Sequence, residues 1–164
     1  MERLYPWIVF LHVVGGFKFA LAHGVAAAVA LRLRRERELE RVRTLLDLSS
    51  GATGVMYWAL LVLLAAGIGA AFVAGLWGKG WIWAAIVLLV ALLAFMYVRA
   101  TPYFGALRRA ASLPYFDGRK GHDAEATAAA ALGSLLASPR PMEIASVGYL
   151  GLVVILWLMV VKPF

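Results

Sequence analysis

Apolar residues fill four long stretches of the chain, about 7–31, 51–77, 81–100 and 144–161, and polar residues collect almost wholly between them. Each stretch meets the roughly 20 residues that an α-helix needs to cross about 30 Å of hydrocarbon. The pattern predicts an all-α protein, a four-helix transmembrane bundle forming one domain over residues 1–164, with no room for a separate soluble domain. The first apolar run is too long for a signal peptide. It is broken by His12, Lys18 and His23 and ends in "LRLRRERELERVR" instead of a small-residue cleavage site, so it reads as a retained span.

The polar segments add detail. "RRERELERVRTLLDLSS" mixes charge signs at helical spacing and is expected to continue the first helix beyond the membrane. Asp47, Ser49 and Ser50 are N-cap candidates for the second span. The short turn "LWGKGWIW" makes spans two and three an antiparallel hairpin, with Trp77, Trp81 and Trp83 as an aromatic belt. Tyr97 and Tyr103 beside Arg99 form the matching anchor at the other interface. Within 101–143, "DAEATAAAALGSLLAS" predicts a short amphipathic helix capped by Asp123, with Leu132, Leu135 and Leu136 as its apolar edge.

Composition agrees with this layout: 63% of the 164 residues are hydrophobic and 15% charged, with a mean hydropathy of +0.84. The net charge of +7 is a topology signal and not a nucleic-acid footprint. Arg32, Arg34, Arg35, Arg37, Arg41 and Arg43 lie between spans one and two, and Arg99, Arg108, Arg109, Arg119, Lys120 and Arg140 between spans three and four. Only Arg3, Lys79 and Lys162 fall on the opposite side, so both basic segments are expected in the cytoplasm and both termini outside. The partner expected for this basicity is the anionic lipid surface of a bacterial cytoplasmic (inner) membrane. The absence of cysteine excludes disulfides, thiolate metal sites and iron–sulfur clusters.

The candidate chemistry lies in span one. His12 and His23 are 11 residues apart, hence within about 20° of one another around the helix and about 16 Å apart along it. Lys18 is turned by about 240° from His12. A charged lysine near the middle of a bilayer costs at least about 2.5–3.5 kcal/mol, and no Asp or Glu lies within any of the four spans. A water-filled cavity, loss of the amine's proton, hydrogen bonds to backbone carbonyls or Tyr57, or an anionic ligand would have to answer it. Two histidines at different depths on one helix, with Gly15, Gly16 and Gly24 beside them, resemble the arrangement of membrane b-type cytochromes, which implies that each supplies one axial ligand to its own haem b; the pair is too far apart to share one metal ion. Spans two to four contain no histidine, so bis-histidine ligation within one chain is excluded.

"LHVVGGFKFALAHGVAAAVALRLRRERELERVRTLLDLSS", "GVMYWALLVLLAAGI", "GLWGKGWIWA" and "MYVRATPYFGALRRA" resemble the bacterial integral membrane family catalogued as domain of unknown function 2269, over about residues 5–112. More distantly, the layout is similar to CopD-type copper-resistance proteins and HemJ-type protoporphyrinogen oxidases. The latter resemblance implies haem b binding by the first-span histidine, matched here by His12, with a lysine of a later span; this chain has no lysine in its third span. Three functions stay open. The first is a haem-binding redox protein using His12, His23, Lys18, Gly15 and Gly16. The second is a transporter or channel component for a proton, metal ion or small solute. The third is an accessory subunit in a homo-oligomer or larger membrane complex, with no chemistry of its own.

Overall fold

The computed structural model describes residues 3–164. Four helices are long and apolar enough to cross a membrane: α1 (Tyr5–Leu33), α2 (Leu39–Val73), α3 (Gly80–Ala110) and α5 (Arg140–Val161). Only 17% to 28% of the most apolar window of each is buried. The remaining surface, including Phe17, Trp58, Phe72, Val87 and Leu150, is outward and apolar, as a lipid solvent requires. This is a multi-pass membrane protein built as a helical bundle.

The chain departs from the expected helix boundaries at the basic end. α1 does not run on through the arginines but stops at Leu33, and residues 39–50 open α2. The break is held by side chains that compete with the helical ladder. Glu36 Oε1 accepts from the N–H groups of Arg37 (2.9 Å) and Glu38 (3.2 Å), while Arg37 Nη1 donates to the carbonyls of Arg34 (3.2 Å) and Glu36 (2.9 Å). Ser49, a cap candidate by sequence, is buried in mid-helix instead.

α1 and α2 form a close antiparallel hairpin; α3 packs antiparallel on α5 and barely touches α2, so spans two and three are joined by a short turn without packing as the expected hairpin; α1 meets α5 across the bundle. Lipid gives no apolar force between helices, so close approach depends on small residues. At Gly15 a Cβ would stand 2.8 Å from Leu63 N and 3.0 Å from Leu63 Cα, so only hydrogen fits there.

Three apolar clusters lie at different levels. At the arginine-rich end Leu33, Val42, Leu46, Tyr103, Leu107 and Leu136 converge. Phe19, Ala59 and Leu60 pack in the middle, and Ala71, Trp81, Ile82, Ala85 and Leu158 pack at the end where the termini lie. Two expected interface anchors are therefore core residues. Trp81 is buried with Lys162 Nζ 5.7 Å from its ring, and Tyr103 is buried with its hydroxyl donating to Leu135 O at 3.2 Å. Trp83 stays outside, its Nε1 donating to Trp77 O at 2.9 Å.

Between α3 and α5 the chain forms a two-stranded hairpin, β1 (Tyr115–Phe116) with β2 (Gly121–His122), and the short helix α4 (Ala129–Ala137). α4 begins later than the sequence suggests and Asp123 does not cap it. It buries Leu132 and Leu136, with Leu135 packed against the same cluster.

The Gly15 contact yields a test. Gly15→Ala places a methyl against backbone that cannot yield, and overpacking of this kind costs about 1–3 kcal/mol. Gly54→Ala has open space around it and gains helix propensity. Thermal unfolding in detergent is expected to show a lowered midpoint for Gly15→Ala and an equal or raised one for Gly54→Ala.

Candidate functional site

The packing of α1 decides which of its polar groups meet. His12 faces α2, where its Nδ1–H donates to the Leu63 carbonyl at 2.8 Å. A carbonyl can only accept, so Nδ1 carries a proton. The ring lies over Gly67, where a Cβ would stand 2.8 Å from both Nδ1 and Cε1. A hydrogen bond of this type inside a membrane contributes about 0.6 kcal/mol on average and up to about 1.7.

His23 is buried against α5 and α3. Its ring meets the edge of Tyr149 at 5.3 Å and 74°. It also packs directly on Gly148, where a Cβ would be 2.6 Å from His23 Cε1 and 2.9 Å from Met96 Cε. Its Nε2 is buried and has no hydrogen-bond partner among the described residues, an arrangement that ordinarily costs stability and asks for a reason.

Lys18 is not part of this interior. It is exposed on the outer face of α1, while Gly15, Phe19, Ala22 and His23 are buried on the inner one. The structure thus separates the three ionisable groups: two histidines inward at different levels, one ammonium outward. Lys18 makes no hydrogen bond or ion pair among the described residues. Gly15 and half-buried Gly16 are taken up by α2, through the Leu63 backbone and the Leu63 Cδ1 methyl, instead of forming space beside a histidine.

A porphyrin needs open space directly beyond the nitrogen that ligates its iron. Beyond His23 Nε2 stands Gly148, so a haem does not fit on this ring as α5 is packed, while His12 rests on Gly67 by its Nδ1 and Cε1 edge. No group of three or more His, Asp or Glu side chains placed to hold a metal ion occurs among the described residues.

Sequence reasoning passed over a polar cluster in the 115–125 loop. His122 is half-buried, stacked on Tyr115 at 4.7 Å and 7°, with Nε2 2.8 Å from Asp117 Oδ2. Asp117 Oδ1 accepts from the N–H groups of Arg119 (2.7 Å) and Lys120 (2.9 Å), closing the turn through Gly118 at φ +100°. Glu125 joins Tyr115 (2.7 Å) and Arg109 (2.8 Å). The available signal was the pair Asp117–Gly118, an Asp-Gly step that marks a turn.

Comparison with family models, with curated proteins and with solved structures finds no match for this chain.

The loop cluster responds to acid. The Lys120 N–H, then His122, then the Arg119 N–H hold the Asp117 carboxyl well below its ordinary value of 3.8. A depressed carboxylate stabilises the fold above its unfolded value and ceases to do so as pH falls towards the folded one. The hairpin is expected to be intact above about pH 4 and to loosen progressively below it. Carbon NMR of the Asp117 carboxyl should show a midpoint below 3.8; an ordinary midpoint would remove this role.

Proposed function

We propose that this protein is an accessory subunit of a bacterial inner-membrane complex. In this reading both termini lie outside, the arginine-rich end is cytoplasmic, and the outer face of α1 docks on a transmembrane helix of another protein that carries an Asp or Glu. The observation that carries the reading is the placement of Lys18.

Lys18 sits 13 residues from Tyr5 and 15 from Leu33, so each end of α1 is about 20 Å away along the axis. Its extended stem reaches about 6 Å, too short to bring the ammonium to the headgroups. No acidic residue lies in the apolar spans of its own chain. Two copies meeting through this face would set lysine against lysine, which disfavours a symmetric pair here. A carboxylate on a different polypeptide would supply the counter-charge that the apolar spans of this chain lack.

The neighbours of Lys18 agree. Leu11, Val14, Lys18, Leu21 and Val25 follow alternating steps of three and four residues, the a/d spacing of a helix–helix seam. Leu11, Leu21 and Val25 are 50%, 55% and 41% exposed, so within this chain the seam has no occupant.

A photo-crosslinking residue at Leu21, introduced in cells, tests the docking. The expected product joins one other membrane protein through a helix containing Asp or Glu. That product should disappear with Lys18→Met and persist with Lys18→Arg. Lipid adducts alone, self-crosslinks, or a product indifferent to Lys18→Met would each defeat the reading.

A second reading, a haem b carrier, is favoured by one observation, the partnerless Nε2 of His23, and requires α5 to draw back from α1. The visible spectrum of purified protein separates the two. The subunit reading expects no Soret band. A Soret band lost in His23→Ala but kept in Lys18→Met would favour the haem reading in its place.

A further inference from the structure

A cavity of about 690 Å³ opens at the arginine-rich end, where the end of α1 and the turn after it face the end of α4 and the start of α5. Arg32, Arg34, Arg35 and Arg37 line one side. None of the four pairs with a carboxylate among the described residues. Elsewhere on this end arginines do find acids: Arg41 with Glu38, Arg43 with Glu40, Arg99 with Glu143, Arg108 with Asp47 and Arg109 with Glu125. The nearest acid in sequence, Glu36, spends its Oε1 on the backbone of its own turn.

Four guanidinium groups around one hollow, with only Arg37 bonded and that to backbone carbonyls, repel each other, and the turn that gathers them is a defined structure. Arg34 adds a second observation: its Nε is buried and has no hydrogen-bond partner among the described residues. A buried guanidinium N–H without an acceptor costs on the order of 1–3 kcal/mol or more, since the group is charged. The α5 N-terminus, beginning at Arg140 beside the cavity, adds the positive end of a helix dipole. All these features call for an anion with several acceptor oxygens, and guanidinium forks match phosphate geometry in two-point hydrogen bonds.

The rest of the lining is apolar. Leu31, Leu136, Ala137 and Met142 supply it, and Leu31 (39%) and Met142 (47%) are left open towards the side where the span begins. A free phosphate has no use for such a wall, whereas a lipid has an acyl chain to lay on it. We infer that this cavity is a binding site for the phosphate headgroup of an anionic phospholipid, ligated by Arg32, Arg34 and Arg35 with an acyl chain along Leu31 and Met142. Basic pockets beside membrane helices bind headgroups in this manner. The site concerns one lipid per chain, in contrast to diffuse attraction of a basic surface.

The test uses the full chain purified in detergent, with phosphatidylglycerol or phosphatidylcholine added back. Retained phospholipid is counted by phosphorus NMR, and thermal unfolding is followed with each lipid and with inorganic phosphate. The expected result is about one phosphatidylglycerol retained per chain and stabilisation by that lipid but not by phosphatidylcholine. Affinity should fall about tenfold or more in the exposed double variant Arg32→Gln with Arg35→Gln, fall also in Arg34→Gln, and stay unchanged in Arg119→Gln, outside the cavity. Lys18→Met should bind the lipid as the parent does, so failure of the docking reading leaves this result untouched. Equal affinity in all variants, or no preference for phosphatidylglycerol, would overturn the assignment. Stabilisation by inorganic phosphate with none from phosphatidylglycerol would overturn it too, in favour of a soluble phosphate ligand.

Discussion

The contact between α1 and α2 at Gly15 governs how the first helix is turned, and most of the chemistry follows from that rotation. With Gly15 against the Leu63 backbone, His12 falls within reach of the Leu63 carbonyl and His23 is carried inward to Gly148. The same rotation sends Lys18 to the other side, since six residues from His12 amount to about 240°. One pair of close-packed backbones thus fixes which polar group is satisfied inside, which is orphaned inside, and which is left outside.

The two histidines show how differently a membrane interior treats the same side chain. His12 has a carbonyl that accepts from its Nδ1, at the cost of space around the ring. His23 has aromatic and sulfur neighbours and no acceptor or donor for Nε2. A glycine on the facing helix makes both arrangements possible, Gly67 in one case and Gly148 in the other. These glycines let an imidazole ring lie directly on the facing backbone.

The spans were legible in the sequence because hydropathy needs only one dimension: a run of apolar residues must cross the membrane wherever its neighbours stand. The rotation of each span was not, since it depends on the facing helix. The 240° offset of Lys18 was available from spacing alone, but not which side of α1 is the inside. The same gap explains Trp81 and Tyr103. Composition and position made them interface anchors, whereas α5 covers the first and α4 the second. The break at 34–38 was hidden because "RRERELERVR" carries charges at helical spacing on both sides of the turn, so periodicity could not show where one helix ended.

That early start gives α2 35 residues, about 52 Å of helix against a hydrocarbon thickness of about 30 Å. The excess all falls on one flank, where it is braced by the Arg43 bond to Ala111 O and the Arg108–Asp47 pair. The molecule is therefore lopsided across the bilayer: a folded head built of helix extensions, hairpin and α4 on one flank, and little beyond short turns on the other. Such a shape cannot be inverted in place without dragging a charged, folded mass through oil, so the orientation adopted at insertion is locked for the life of the protein.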